Sequence, residues 1–373
     1  MNSPLRALIE NSETLTARLG ALHERLLESV PAVDRIACAL YDAAEDKLKT
    51  FINSTRSGHA ISAYEYPLSD SRALNELARS GDFRVLDEIS SAVDSNSTHS
   101  QWLHEQGYRS SFTVPIYDGA GLLGFIFFDS LHPAAFTAQV QRDLVLYSSL
   151  ISMSISSEIA AVQMAIESAR VASQMTKYRD FETGAHLERM ARYSRLIARR
   201  IAARHGRDDE FVESVYLFAP LHDVGKIAIP DRILQKPGAL DAEERRIMQS
   251  HVEKGIEIIE RTLGKGGLHA FPDSAILRNI VLCHHELLDG SGYPRGLSGA
   301  QIALEARIVT VADIFDALTA RRPYKREWTM ADAFAELQLL AERGKLDAEC
   351  VAALIEQADE VQAIMQRYVD AAA

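Results

Sequence analysis

Hydrophobic positions along the chain change their spacing twice, and these changes divide it into predicted regions. From residue 3 to about residue 30, leucines recur every three or four positions, which predicts an amphipathic helix capped by Ser3 with Pro4 in its first turn. From about 34 to 129, short alternating runs predict strands. After about residue 177 helical spacing dominates to the end. The leucine face of the first helix either packs on its own domain or forms half of a dimer seam.

Two hairpins are predicted in the strand region. The first joins residues 35–41 to 47–53, and the second joins 111–117 to 121–128. Helical stretches such as 71–79 lie between them. The order predicts an α+β domain, an antiparallel sheet with helices packed on it. Four histidines fall in polar, loop-like stretches, where we expect solvated side chains: His59, His99, His104 and His132.

A long stretch without glycine or proline, residues 134–183, predicts a continuous helix. Within it, isoleucines and a valine keep a spacing close to a heptad seam, namely Ile151, Ile155, Ile159, Val162 and Ile166. We expect the first half of this helix to pack partly on the sheet and the second half to act as a connector in a parallel homodimer. The predicted boundaries are 1–150, 151–180 and 181–373, the last region being all-α.

Composition narrows the class of protein. The chain has 373 residues, 47% of them hydrophobic and 25% charged, and can therefore build large cores. Its formal net charge of −12 disfavours binding to a nucleic-acid polymer. Three scattered cysteines, Cys38, Cys283 and Cys350, favour neither disulfides nor a thiolate zinc site, as in a reducing cytoplasm. We read no signal peptide and no transmembrane helix.

The candidate chemistry begins at His222 and Asp223, two metal-ligand types side by side among apolar residues. Buried groups of this kind must be paired or bound to a metal. On a helix, neighbouring side chains diverge, so the two would reach different sides of a polar centre. Lys226, one turn on, would return toward the first of them. This geometry suits a site with more than one metal ion.

Further ligand types are scattered through the helical region. Glu182 and His186 lie four residues apart, on one face of one turn. Asp313 lies in an otherwise apolar run, where a lone carboxylate would be costly. Each has an ordinary explanation as a surface pair, cap or hydrogen-bonded residue, but their joint occurrence predicts one metal centre. The remaining candidates are His251, His284 and His285.

The strand region resembles a GAF sensory domain. The resemblance rests on the order of its elements and on residues 114–119 and 122–129, followed by Pro133 and Phe136. It implies an antiparallel sheet with helices and a regulatory role, with no clear signature of a ligand.

The helical region resembles an HD-GYP domain, a branch of the HD phosphohydrolases. The motifs are HDVGKIAIPD at 222–231, HHE at 284–286, DGSGYPRGLSG at 289–299 and ADIFDALTARRPYK at 312–325. The resemblance implies hydrolysis of cyclic di-GMP to pGpG, with GMP as a further product, at a two- or three-metal centre of Fe or Mn. A hydrolase of another cyclic dinucleotide, 3′,3′-cGAMP, and a non-catalytic cyclic di-GMP receptor are the alternatives.

The same resemblance assigns roles to individual residues. Asp223 would bridge two ions, and Glu182 matches the carboxylate of members that hold three. Lys226 matches the lysine that contacts the scissile phosphate, where a cationic donor can neutralise charge or protonate the leaving oxygen. Tyr293, Arg322 and Lys325 match residues near the ligand's bases or phosphates. The implied metal ligands are Glu182, His186, His222, Asp223, His251, His284, His285 and Asp313.

Overall fold

The computed structural model describes residues 14–92, 98–119, 121–175, 184–262, 274–320 and 328–369. The chain divides into two compact units, Met1–Ile159 and Ala160–Ala373.

The first unit is built on a six-stranded antiparallel sheet in the order β3-β2-β1-β6-β5-β4. Both predicted hairpins are present, and the α+β architecture is confirmed. The two edge strands were not predicted, because three residues are too few to establish an alternating pattern. The strands are β1 Arg35–Asp42, β2 Lys47–Thr55, β3 Glu65–Pro67, β4 Arg84–Leu86, β5 Ser110–Asp118 and β6 Gly121–Ser130.

Helices cover this sheet. The first begins at the cap Thr14 and buries Leu15, Leu19 and Leu26 within its own unit, where His23 also hydrogen-bonds Ser54 of β2 at 2.8 Å. The leucine face therefore packs on its own domain. Ser3 and Pro4 lie outside the described residues. The helices are α1 Leu15–Leu27, α2 Arg72–Ser80, α3 Ile89–Ala92, α4 Thr98–Glu105 and α5 Ala138–Met175, with a 3₁₀ turn at Leu68–Asp70.

The two faces of the sheet differ in character. One face carries large apolar side chains such as Ile36, Phe112 and Phe128, all fully buried. On the opposite face, alternation in the same strands places Arg35, Ser111 and Asp129. A charged row in a buried sheet face is unusual and must be compensated locally.

The long helix α5 corrects the predicted dimer seam. Ile151, Ile155, Ile159 and Val162 are buried within the chain, so its own core already uses the seam assigned from sequence. The side chain of Ile166 lies outside the described residues. A different set is exposed, at Leu146, Leu150, Met153 and Met164.

The same helix qualifies the prediction that no segment crosses a membrane. Ala138–Met164 has a mean hydropathy of 1.4 and is long and apolar enough to do so, by length and composition alone. It also carries Arg142, Asp143 and Glu158.

The second unit is helical, as predicted. Two of its helices begin at the caps Thr329 and Asp347, whose side chains accept backbone N–H groups of the first turn. Its helices are α6 Gly184–Ile201, α7 Asp209–Phe218, α8 Asp231–Leu234, α9 Ala242–Gln249, α10 His251–Thr262, α11 Ser274–Cys283, α12 Leu304–Thr319, α13 Met330–Glu342, α14 Ala348–Ile355 and α15 Ala358–Arg367. Short 3₁₀ segments span Ala202–His205, Ala219–Leu221, Val224–Ala228 and Gly299–Gln301.

Packing between α6 and α12 sets the geometry of the candidate site. Tyr193 of α6 meets Phe315 of α12 edge-on, with ring centroids 5.2 Å apart, and both side chains are fully buried. Aromatic pairs in this arrangement add to the burial of apolar area. They hold together two helices that also carry His186 and Asp313, whose ligand-type atoms lie in one cluster.

Candidate metal centre

Seven histidine and aspartate side chains converge in the second unit. Ligand-type atoms of the first cluster lie within 4.8 Å of one another, as do those of the second. The first cluster is Asp223, His251, His284 and His285, and the second is His186, His222 and Asp313. They come from five separate segments, and the structure brings together every predicted metal ligand that it describes.

The turn at His222 and Asp223 joins the two clusters. It lies between two 3₁₀ segments, and its two side chains point to different clusters, as the sequence predicts for diverging neighbours. Lys226 lies beside the second residue of this pair, with its Nζ 2.5 Å from Asp223 Oδ2. With three residues per turn, a 3₁₀ helix aligns positions i and i+3, which accounts for this contact.

Gly225 lets this turn approach α10. A Cβ at position 225 would lie 1.8 Å from the carbonyl oxygen of His251 and 2.5 Å from the backbone nitrogen of Gly255. No side chain fits there. The contact sets His251 beside the turn, with its Nε2 2.9 Å from Asp223 Oδ1.

Three of the imidazole rings are oriented by backbone carbonyls. The Nδ1 atoms of His222 and His251 each lie 2.8 Å from the carbonyl oxygen three residues earlier, at Ala219 and Met248. Nδ1 of His284 lies 3.0 Å from the carbonyl oxygen of Ile280. A ring that donates from Nδ1 carries its lone pair on Nε2, the form in which histidine binds metal.

His186 is oriented by a side chain instead. Its Nδ1 lies 2.7 Å from Asp316 Oδ2, and the other carboxylate oxygen accepts a hydrogen bond from Arg189 Nε at 2.5 Å. Arg189 also donates to the carbonyl oxygen of Tyr368 at 2.8 Å. Asp316 is fully buried, and although burial acts to raise its pKa, His186 and Arg189 more than offset this and hold the pKa below its usual value. Carboxylate–histidine pairs of this kind support metal ligands in many proteins.

Burial and charge hold the first cluster in a metal-binding protonation state. Burial acts to raise the pKa of Asp223, but Lys226 and His222 outweigh it and keep the pKa well below the ordinary value. Burial lowers the pKa of His284, and burial with the neighbouring His284 lowers the pKa of His285 further. At neutral pH the aspartate is therefore ionised and both imidazoles are neutral.

The donor set fits divalent metal ions. The Nε2 atoms of His251 and His284 and Oδ1 of Asp223 are buried and lack a hydrogen-bond partner among the described residues. The 2.9 Å approach of His251 to Asp223 is an ion-pair distance without the alignment of a hydrogen bond. Buried polar atoms without partners are costly, and atoms that converge without bonding one another are arranged as ligands of a shared cation.

A glycine-rich loop closes over the first cluster. Both carboxylate oxygens of the buried Glu286 accept backbone N–H groups from the loop, Arg295 at 2.7 Å and Leu297 at 2.9 Å. Gly292 is required there, since a Cβ would lie 2.4–2.5 Å from backbone atoms of residues 285–287. The loop stacks the Tyr293 ring on the His285 ring at 4.6 Å between centroids.

Three predicted site residues, Glu182, Arg322 and Lys325, lie outside the described residues. Sequence reasoning missed the roles of Asp316 and Glu286. A signal existed for Asp316, because it is a second carboxylate in the apolar run 308–316 and lies one helical turn after Asp313. Glu286 stood beside two candidate ligands, and only the loop geometry reveals that it holds backbone.

Residues 181–350 match the family model described as an HD domain. With the His–Asp turn and the clusters around it, the C-terminal unit is an HD domain, of the HD-GYP type that its motifs indicate.

Among curated relatives, the cyclic di-GMP phosphodiesterase response regulator RpfG of Xanthomonas campestris is 45% identical over 198 residues, 53% of this chain and 49% of that protein. A cyclic di-GMP phosphodiesterase of Thermotoga maritima is 41% identical over 204 residues, 54% of this chain and 51% of that protein. The 3′3′-cGAMP-specific phosphodiesterase 2 of Vibrio cholerae is 44% identical over 187 residues, 50% of this chain and 33% of that protein. The chain thus spans about half or less of the length of these relatives.

The first unit has matches among solved structures. The GAF domain of an Acinetobacter phosphoenolpyruvate-protein phosphotransferase is 17% identical with a TM-score of 0.30, covering 41% of this chain and 92% of that one. A TM-score of 0.30 supports no conclusion about the fold, so the α+β architecture of the unit rests on its own strand order.

Proposed function

We propose that this protein hydrolyses a phosphodiester bond of a cyclic dinucleotide, and that its substrate is cyclic di-GMP, cut to pGpG with GMP as a further product. The convergence of seven histidine and aspartate side chains on two adjoining clusters carries this proposal. Relatives at 41–45% identity that are named cyclic di-GMP phosphodiesterases support it.

A second candidate substrate is 3′,3′-cGAMP. The Vibrio cholerae relative named for that dinucleotide is 44% identical, close to the identity of the cyclic di-GMP enzymes. The residues that would contact the purines, Tyr293, Arg322 and Lys325, decide between the two. A receptor that binds the dinucleotide without cutting it is disfavoured, since the described ligand set is complete for both clusters.

We propose two or three divalent ions, Fe or Mn. The donors are imidazole nitrogens and carboxylate oxygens without thiolate, a set that suits these metals better than structural zinc. Asp223, at the junction of the clusters, would bridge two ions, and Glu182 would add a carboxylate for a third. When bound, the ions supply positive charge to the phosphodiester oxygens and lower the pKa of a water molecule.

The chain's own residues would complete the chemistry. Lys226 pairs with Asp223 in the structure and is one quarter exposed. It can therefore exchange that carboxylate for a phosphoryl oxygen, where it would stabilise negative charge and donate a proton to the leaving oxygen. Tyr293, stacked on His285, presents a ring to a guanine base. Arg322 and Lys325 would bind the second phosphate or a guanine edge.

The test is hydrolysis of cyclic di-GMP and 3′,3′-cGAMP by protein purified without oxygen and loaded with Fe or Mn. We expect Asp223→Ala to abolish turnover with little loss of folding. The control is Asp359→Ala, at an exposed position on α15, which should keep full activity. Appreciable turnover by Asp223→Ala with metals still bound would remove this mechanism.

We further propose a cytoplasmic homodimer that joins through the first unit and α5 and is regulated by that unit. The exposed side chains Leu146, Leu150 and Met153 repeat at intervals of four and three, as a coiled-coil seam does. A charged residue within a membrane span is costly, and Glu158 lies inside the apolar stretch, which favours a second copy over a bilayer. Leu150→Glu should shift the mass measured by light scattering from dimer to monomer. A wild-type monomer would contradict the proposal.

A further inference from the structure

One histidine of the second cluster is oriented by a distant part of the chain. The rings of His222, His251 and His284 are each oriented by a carbonyl oxygen three or four residues earlier. His186 is oriented instead by Asp316, which is 130 residues away in sequence. A local contact persists while its own turn is folded, whereas a distant one depends on how the helices pack. The orientation of His186 can therefore change while the other three rings stay in place.

Arg189 of α6 holds this aspartate through two of its nitrogens. Its Nε and Nη2 atoms donate to the two carboxylate oxygens of Asp316 at 2.5 and 3.0 Å, a paired geometry that fixes the plane of the carboxylate. Its Nη1 donates to the main-chain carbonyl oxygen of Tyr368 at 2.8 Å. Because a guanidinium is planar and rigid, the position of this carbonyl oxygen also sets the direction of the donors that face Asp316.

Tyr368, the residue directly after α15, is itself held against α6. The Arg192 guanidinium lies over the Tyr368 ring, 4.9 Å from its centroid. The Tyr368 N–H donates to the carbonyl oxygen of the buried Ile364 at 3.0 Å and so continues the last turn of α15. Further along the same two helices, Arg199 pairs with Glu360 at 2.9 Å. Two other arginines of α6 thus hold in place the carbonyl oxygen that Arg189 uses.

We propose that Arg189 and Tyr368 are positioning residues for the second metal cluster, so that α15 sets the affinity of this cluster for its ion without altering the first cluster. The Tyr368 carbonyl oxygen orients Arg189. Arg189 in turn holds Asp316 against Nδ1 of His186. Partners behind a metal ligand change metal affinity by about 10- to 100-fold. The inference rests on the metal centre of the proposed function and adds a means of weakening one ion separately.

Titration of the metal-free, full-length chain with Mn²⁺ tests this inference, with the free ion measured by its electron paramagnetic resonance signal. Arg189→Lys keeps the positive charge but offers a single nitrogen, so it cannot hold both Asp316 oxygens and the Tyr368 carbonyl oxygen in one plane. We expect this variant to weaken one Mn²⁺ site by about tenfold or more and to leave the remaining affinity unchanged.

Variants of the ligands identify the weakened site. His186→Ala removes a ligand of the second cluster and should weaken the same site, and adding Arg189→Lys to it should weaken binding no further. His251→Ala alters the first cluster instead. In that background Arg189→Lys should still weaken the second site by about tenfold.

Two further comparisons separate positioning from stability. Arg195→Lys changes a similarly buried arginine of α6, whose partner Glu213, 2.7 Å away, belongs to neither cluster. It should lower the melting temperature, as Arg189→Lys should, and leave every Mn²⁺ affinity unchanged. Tyr368→Gly removes the ring beneath Arg192 and loosens the main chain, so it should weaken the same site as Arg189→Lys. Tyr368→Phe keeps the ring and the carbonyl group and should bind Mn²⁺ like wild type.

The outcomes distinguish this inference from the metal centre itself. Equal weakening of all Mn²⁺ sites by Arg189→Lys, the same selective loss in Arg195→Lys, or wild-type affinities in Arg189→Lys or Tyr368→Gly would overturn the positioning role and leave the metal centre standing. Wild-type protein that binds only one Mn²⁺ ion or none would overturn the metal centre, and this inference with it.

Discussion

Gly225→Ala is the smallest substitution that we expect to disable the metal centre. The added Cβ would meet the carbonyl oxygen of His251 at 1.8 Å and the nitrogen of Gly255 at 2.5 Å. Both are main-chain atoms of α10, so neither can rotate aside. The turn that carries Asp223 must therefore separate from the helix that carries His251.

The size of this displacement follows from the contact distances. Ordinary contact begins at 3.4 Å and the Cβ would lie 1.8 Å from the oxygen, so relieving the clash needs a movement of about 1.6 Å, the difference between the two distances. Metal–ligand distances tolerate deviations of only about 0.2 Å. The variant should lose metal from the first cluster. Overpacking of this kind costs about 1–3 kcal/mol, which in a domain of this size lowers the melting temperature by roughly 2–12 °C.

Metal content per chain, measured by inductively coupled plasma mass spectrometry after anaerobic loading, is the decisive assay, with thermal unfolding beside it. Gly20→Ala is the matched control, because a Cβ there meets nothing within 4 Å and should slightly stabilise α1. Wild-type metal content and melting temperature in Gly225→Ala would refute the reasoning about this close approach.

Three other predictions concern buried polar groups. Asp316→Asn should lower the free energy of unfolding by about 3–5 kcal/mol in denaturant unfolding, because it removes the negative charge that pairs with the buried Arg189. Glu356→Gln, at an exposed ion pair, should lower it by less than about 1 kcal/mol. Burial and the charge of Arg35 lower the folded pKa of His99, which the sequence predicted to be solvated, to about 4. The unfolded chain therefore binds more protons below pH 6.5, and the free energy of unfolding should fall by up to roughly 3 kcal/mol as the pH drops from 6.5 to about 4. Unfolding curves of His99→Phe should lack this step. Glu286→Gln removes a carboxylate acceptor of two backbone donors and should accelerate proteolysis within residues 290–296; cleavage at the wild-type rate would contradict that role.

The sequence predicted the elements whose pattern is long enough to repeat. Alternation over eight to ten residues located β1, β2, β5 and β6, while β3 and β4 have three residues each and gave no period. The heptad-like spacing in α5 was real, but spacing alone does not tell an internal core from a dimer seam. Burial shows that the spaced residues belong to the chain's own core, and it leaves Leu146, Leu150 and Met153 exposed as the seam that we propose instead.

The ligand types of the metal centre were predictable because metal chemistry restricts them to a few side chains. Their supports were not. Asp316 and Glu286 act through distances of 2.7–2.9 Å that depend on how helices and loops pack. The charged pair on the sheet was likewise hidden, since Arg35 and Asp129 are far apart in sequence and meet only across neighbouring strands.

The Lys226–Asp223 contact gives the more buried of the two described ligand carboxylates a positive partner. In metal-free protein the charge of Lys226 therefore offsets the charge of Asp223. Removal of the metal by a chelator should consequently leave the domain folded. Binding of an ion to Asp223 would release Lys226 from this pair. The Lys226 ammonium group should therefore be more mobile in the metal-loaded protein than in the metal-free protein.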